Sequence, residues 1–137
     1  MLSFFIAGFD YKKADSEMRS RLFLEEKQIL EVRESLNDDG MIVLQTCNRS
    51  TFFSSKNINS EEFLKTFAKI KNFPKEILET VFEFHYSVSA LRYLFRLASS
   101  LESMVVGEAQ ILGQLKNAYK TSQKSIPSEL DMYFQAA

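Results

Sequence analysis

The spacing of apolar positions switches repeatedly between a strand period and a helix period. Residues 2–8 are apolar and aromatic and end at Gly8, and residues 41–46 form a second such run, entered through the turn signal Asn37-Asp38-Asp39-Gly40. Both predict buried strands. Residues 51–55 supply β-favouring Thr and Phe just after a sharp loop at positions 47–50 and predict a short third strand, and residues 81–86 predict a fourth. Between them, residues 25–36 place Ile29, Val32 and Leu36 at helical spacing. Residues 60–70 open on the capping-like Ser60 and set Phe63, Leu64 and Phe67 on one side. Pro74 suits the first turn of a short helix through position 80. The order β-α-β-β-α-β, with room for small additions, predicts an α+β fold: a mostly antiparallel sheet of about four strands covered by helices.

Beyond Ser87 the pattern is helical to the end of the chain. Leu91, Leu94, Phe95, Ala98 and Leu101 form an apolar stripe, while Arg92, Arg96, Ser99 and Ser103 fall together on another face, so one face is expected to pack and the other to bind. A second helical stretch spans about 107–124, and Pro127 precedes a last one from about Ser128. No capping signal follows Phe134, so the chain is expected to stop within an element, as a domain fragment would. The whole reads as a single domain over 1–137, with a sheet part over 1–86 and a helical part over 87–137.

Composition narrows the class. With 137 residues, 45% of them hydrophobic, the chain can build one real core and not two. Seventeen Lys and Arg against eighteen Asp and Glu leave a net charge of −1, which excludes the broad basic footprint of a general nucleic-acid binder and restricts any RNA contact to a local one. No apolar run approaches the ~20 residues that cross a membrane, and the N-terminal apolar run lacks the preceding positive region of a signal peptide. A single Cys forms no internal disulfide, which suits a reducing, cytoplasmic setting. One Cys and one His provide no metal-ligand spacing.

The sharpest chemical signal is Thr46-Cys47-Asn48-Arg49, where a buried strand gives way to a loop. A thiolate is a strong nucleophile, a nearby cation favours it, and Arg49 can supply that charge or clamp a carboxylate with its bidentate fork. The plainer reading makes Cys47 a small buried residue ending a strand. A second cluster runs from Ser103 through Gly107, Glu108 and Gln110 to Lys116; by itself it also reads as an ordinary helix start with solvated polar groups. His85 closes an apolar strand and is either a general acid or base or a structural residue. Arg19 and Arg21 are candidates for a phosphate or carboxylate contact, with surface charge as the alternative. The pair Lys12-Lys13 reads as a solvated turn.

Three stretches together resemble the glutamyl-tRNA reductase family: AGFDYKKADSEMRSRL, MIVLQTCNRS and ALRYLFRLASSLESMVVGEAQILGQLKNAY. They spread from Ala7 to Tyr119, and the TCNR signature followed at a family-like distance by SMVVGEAQILGQLK is highly specific. The resemblance implies that Cys47 attacks the ester joining glutamate to tRNA. The resulting thioester is reduced with NADPH to glutamate-1-semialdehyde, the start of tetrapyrrole (porphyrin) synthesis. It implies that Thr46 and Arg49 orient the glutamate and that Ser103, Glu108 and Gln110 line the same pocket. It also implies a nucleotide-binding domain and a helical dimerisation domain, giving a homodimer. Neither has a counterpart in this chain, which has no G-x-G-x-x-G after a strand.

Four positions depart from the family pattern. Thr51 stands where the signature continues to Glu, Ser100-Leu101-Glu102-Ser103 replaces a small-Leu-Asp-Ser segment, and Asp15 replaces a Pro. Tyr93 replaces the pocket histidine, and a phenol, titrating near ~10, is a weaker proton donor or acceptor at neutral pH than imidazole. Tyr93, or His85 if it reaches the pocket, is therefore expected to take that part. The rival expectation is a diverged, non-catalytic domain that binds glutamyl-tRNA or a partner protein.

Overall fold

Alternation along the strands sorts the apolar side chains of this chain into two sets, one for each face of a sheet. The computed structural model describes residues 3–103, with side chains through residue 99. Its elements are β1 (Phe5–Asp10), α1 (Ser16–Leu22), α2 (Glu26–Ser35), β2 (Ile42–Gln45), β3 (Arg49–Ser54), α3 (Ser60–Lys71), α4 (Lys75–Val81), β4 (Glu83–Tyr86) and α5 (Ser87–Ser103). The strands lie in the order β2-β3-β1-β4, and every neighbouring pair is antiparallel. The α+β class and the antiparallel sheet follow the expectation from sequence. The two crossovers, β1 to β2 and β3 to β4, interlock, so β1 and β3 occupy the centre.

Phe5, Ala7 and Phe9 of β1 stand beside Ser54, Phe52 and Ser50 of β3 on one face. That face joins Leu22, Leu24, Val32, Phe63, Phe67 and Phe82 from the helices and their ends in one buried core. Its centre is a nest of phenyl rings, with Phe63 5.3 Å from Phe52 and Phe82, and Phe67 5.0 Å from Phe82, edge to face. Truncating a ring packed this way costs about 3–5 kcal/mol. The other face carries Ile6, Ile42 and Phe53, and α5 covers it with buried Ala90, Leu94, Leu97 and Ala98.

Local signals set the helix ends. The Asp15 carboxylate accepts from Met18 N at 2.8 Å and starts α1, so the residue that replaces a family Pro serves as a cap. Glu25 and Gln28 form a capping box on α2. Asn59 caps α3 by accepting from Glu62 N at 3.2 Å, and Asn72, in the left-handed region at φ 51°, closes it.

Several expectations shift. Helix α1 lies in a segment with no helix expected; seven residues with only Leu22 buried carry too little periodicity to show. The α3 cap is Asn59, one residue before Ser60. Pro74 precedes α4 as its extended cap instead of entering the first turn. Residues 81 and 82 leave the expected fourth strand, because Val81 is still helical and Phe82 N donates to Leu78 O at 2.9 Å. Strand β3 begins at Arg49, which tightens the expected loop. Phe95 leaves the packed stripe and is exposed, since Leu97 turns inward with Leu94 and Ala98.

Gly8 sits at the centre of the α5-facing side of β1, opposite Thr51. A Cβ there would stand 2.7 Å from Ser50 O and 3.1 Å from Thr51 Cα, both backbone atoms. Because the strands would have to part, Gly8→Ala is expected to lower the unfolding free energy by about 1–3 kcal/mol. Chemical denaturation checks this, and an unchanged midpoint would mean that the sheet opens there at no cost.

Candidate active site

The hairpin between β2 and β3 ends in a two-residue tip, Cys47-Asn48. Thr46 N donates to Arg49 O at 2.9 Å to close it, and the Thr46 hydroxyl accepts from Asn48 N at 3.0 Å. The tip is pinned from outside as well. Arg19, on α1, donates Nε to Cys47 O at 2.8 Å and Nη1 to Ala14 O at 2.7 Å. Its expected phosphate or carboxylate contact is thus replaced, for these two nitrogens, by backbone carbonyls. Arg21 lies over the Phe73 ring, 4.9 Å from its centroid. Gln45 bonds both backbone groups of Leu24, accepting from its N at 2.8 Å and donating to its O at 2.9 Å.

Cys47 is free and exposed, so the reading as a buried strand-ending residue is set aside. It opens into a cleft of about 600 Å³, with Thr46 and Asn48 beside it and Ser16, Arg19, Ser20 and Phe23 of the α1 segment across from it.

Two residues along the chain, Arg49 enters the sheet beside Asp10. From there the α5-facing side of the sheet is polar: Asp10 and Arg49, then Glu83, Gly8 and Thr51, then His85 next to Ile6. Helix α5 lays Tyr93 on this row. The Tyr93 and His85 rings stack at 4.4 Å, and the Arg49 guanidinium interacts with the Tyr93 phenol. Arg49, Tyr93 and His85 therefore meet, although 44 positions of sequence separate Arg49 from Tyr93. The Arg49 Nε, Thr51 Oγ1 and His85 Nε2 atoms are buried and have no hydrogen-bond partner among the described residues. Buried polar groups are satisfied in the great majority of cases, so three together single out this row as the candidate binding wall. Thr51 emerges here as a polar group of the site, legible in the sequence only as a departure.

Burial raises the Tyr93 pKa; the Arg49 charge opposes this, and Glu83 and Asp10 reinforce it. The phenol stays protonated at neutral pH. Burial also lowers the His85 pKa, with the Glu83 carboxylate opposing from 4.0 Å and Arg96 adding to the shift. The ring is neutral at neutral pH, and at 4.0 Å the Glu83 contact is too long for a hydrogen bond. Arg92, Arg96 and Ser99 are exposed on α5. The side chain of Ser103, and Glu108 and Gln110 entirely, lie outside the described residues.

The described residues form an α+β domain that exposes a cysteine at a hairpin tip, two residues from a half-buried arginine whose Nε has no hydrogen-bond partner among them. The family model for the N-terminal domain of glutamyl-tRNAGlu reductase matches residues 7–137, and the chain belongs to that family. Glutamyl-tRNA reductase 2 of Koribacter versatilis is 38% identical over 95% of the chain, and the enzyme of Bacillus velezensis is 33% identical over 96%. The solved glutamyl-tRNA reductase of Methanopyrus kandleri superposes with a TM-score of 0.72 at 28% identity, covering 98% of this chain and 32% of that one. The chain spans about a third of the length of the curated relatives it matches, 31% for each of the two named.

The His85 shift fixes the sign of a pH effect. An imidazole whose folded pKa lies below its unfolded value binds protons more readily when the chain unfolds. Its contribution is therefore complete above the ordinary imidazole range and is lost as pH falls through about 6.5 towards the folded pKa. The melting temperature is expected to drop between pH of about 7.5 and about 5, and to drop less in His85→Gln. Parallel profiles for the two proteins would assign the loss to other groups.

Proposed function

We propose that this domain takes the glutamyl group of glutamyl-tRNA onto Cys47 as a thioester. The observation that carries the proposal is the buried Arg49 Nε, which has no hydrogen-bond partner among the described residues and lies beside the Tyr93 phenol, two residues from an exposed thiol. A buried donor without an acceptor costs about 1–3 kcal/mol, and a substrate carboxylate arriving there relieves that cost with a charge-assisted bond. Selectivity for glutamate follows, since an apolar side chain would leave the guanidinium unsatisfied.

In the proposed step the Cys47 sulfur, having released its proton, attacks the ester carbonyl carbon. The bond from that carbon to the ribose oxygen then breaks. The oxygen takes up a proton, and tRNA leaves with its terminal hydroxyl free. Tyr93, kept protonated by burial, is a hydrogen-bond donor in the place of the family's histidine, and His85, neutral and stacked on it, completes the polar wall. The Thr46 hydroxyl accepts from the turn while its own proton remains available to orient the substrate. Ser103, Glu108 and Gln110 enter the pocket on the family resemblance.

The resemblance implies NADPH. Among the described residues the only glycines are Gly8, within β1, and Gly40, before β2, and neither forms the glycine-rich strand-to-helix turn that holds a dinucleotide. The described residues do not fit that cofactor, and the step above uses none. A homodimer, also implied, would be built by segments other than those described. We place the reaction in the cytoplasm because the free thiol needs a reducing compartment. Among the described residues no helix is long and apolar enough to cross a membrane.

Incubation with tRNA carrying labelled glutamate should leave label on Cys47, and Cys47→Ser should abolish that thioester. Arg49→Ala should raise the half-saturating concentration of glutamyl-tRNA by about 10-fold or more, the loss of one charged hydrogen bond. Tight binding of glutamyl-tRNA with no label on the sulfur would mean a non-catalytic binding domain.

A further inference from the structure

An ester under attack has two sides, and the polar row on the α5-facing side of the sheet accounts for only one. If Arg49 receives the glutamate, the alcohol that departs must lie on another side of Cys47. In any aminoacyl-tRNA that alcohol is the ribose of a terminal adenosine, so a purine ring follows the reacting carbon into the site. The α1-side cleft opens directly on Cys47 and is so far unused. We infer that this cleft is a nucleoside subsite in which Phe23 stacks on the terminal adenine of the tRNA; the inference rests on the thioester reading above.

Three features support that occupant. Phe23 is a large apolar side chain left 46% exposed, yet it stands between Leu22 and Leu24, which are 0% and 1% exposed. Two buried anchors thus hold one ring outward. Its backbone is also held: Lys71 Nζ donates to Phe23 O at 2.8 Å, and the Gln45 side chain fixes both backbone groups of Leu24. Gln45 ends β2 two residues before Cys47, so the ring and the sulfur are positioned by the same strand end, and little order has to be gained on binding. Finally, among the described residues the cleft wall carries no carboxylate. It offers the Arg19 cation and the hydroxyls of Ser16 and Ser20, which suit a ribose and its phosphate. Stacking on an aromatic side chain with a cation nearby is a common way to hold an unpaired base.

The test uses the full-length protein and compares two acyl donors for Cys47: glutamyl-tRNA, and a glutamate aryl ester that lacks any nucleoside. Phe23→Ala should raise the half-saturating concentration of glutamyl-tRNA by about 5- to 150-fold, the factor carried by one base–aromatic stack. The preference for glutamyl-tRNA over the aryl ester should fall by the same factor, and Phe23→Trp should restore it. Equal losses with both donors would show that Phe23 merely supports the cysteine hairpin, and no loss with either would show that the ring contacts nothing; both overturn the subsite. Absence of label from both donors on the unmodified protein would instead overturn the Cys47 assignment, and the subsite with it.

Discussion

The pairing of β1 with β3 is the constraint on which the rest of the structure depends. Phe5 opposite Ser54 through Asp10 opposite Arg49 is an uninterrupted antiparallel register, and it assigns each residue of both strands to a face. Slipping it by one residue would send Phe52 away from the phenyl nest and carry Arg49 from the α5-facing side into that nest. The free energy that buries Phe52 among Phe63, Phe67 and Phe82 is therefore the same free energy that aims Arg49 at Tyr93. The site has no separate scaffold; it is the reverse side of the core.

That arrangement explains how polar atoms remain buried near α5. A cluster of Arg49, Thr51, Tyr93 and His85 would be costly in a domain held together there alone, because partly satisfied polar networks lose hydration without full return. Here the phenylalanine face carries the larger set of buried apolar side chains, and among the described side chains of α5 those that seat it are Ala90, Leu94, Leu97 and Ala98. Burial then acts on the chemistry. It keeps Tyr93 protonated and His85 neutral, so the charged side chains of the row itself are Arg49, Asp10 and Glu83, with Arg96 of α5 close enough to act on His85. Arg49 is the one cation of that row with an unused donor, which is the property an anionic substrate would exploit.

Much of this was legible in the sequence, and the limits of legibility were physical. The strands show because Phe, Ile and Val cluster between turn residues, and α3 shows because Phe63, Leu64 and Phe67 share one side over twelve residues. Helix α1 does not show, since its contribution lies in Asp15 and Arg19, a cap and a clamp that leave no apolar period. Cys47 and Arg49 were visible as neighbours in one motif. The union of Arg49 with Tyr93 and His85 was hidden, because it needs strand register and helix placement together. Phe23 was hidden for the opposite reason: a lone Phe next to two leucines looks like core until the structure turns it outward.

On the proposed reading, the division between an exposed sulfur and a half-buried arginine with a buried Nε follows from what each has to do. A nucleophile must be reached by a bulky ester, so it belongs at a tip, and Cys47 stands at the end of a hairpin with only Asn48 beside it in the turn. A binding group gains most where water is excluded, and Arg49 stands half-buried at the start of β3 with its Nε out of solvent. Two residues separate these environments, and the turn between them is held by Thr46, Arg19 and Gln45 instead of by glycine flexibility. On the proposed reading, this short, hydrogen-bonded link would convert recognition at Arg49 into placement at Cys47, because a substrate anchored on the guanidinium would have few other positions for its carbonyl. On this view Arg19 is a positioning residue with no substrate contact required of its two bonded nitrogens, and the tightness of the turn, more than any property of the thiol itself, is what turns a binding surface into a reactive one.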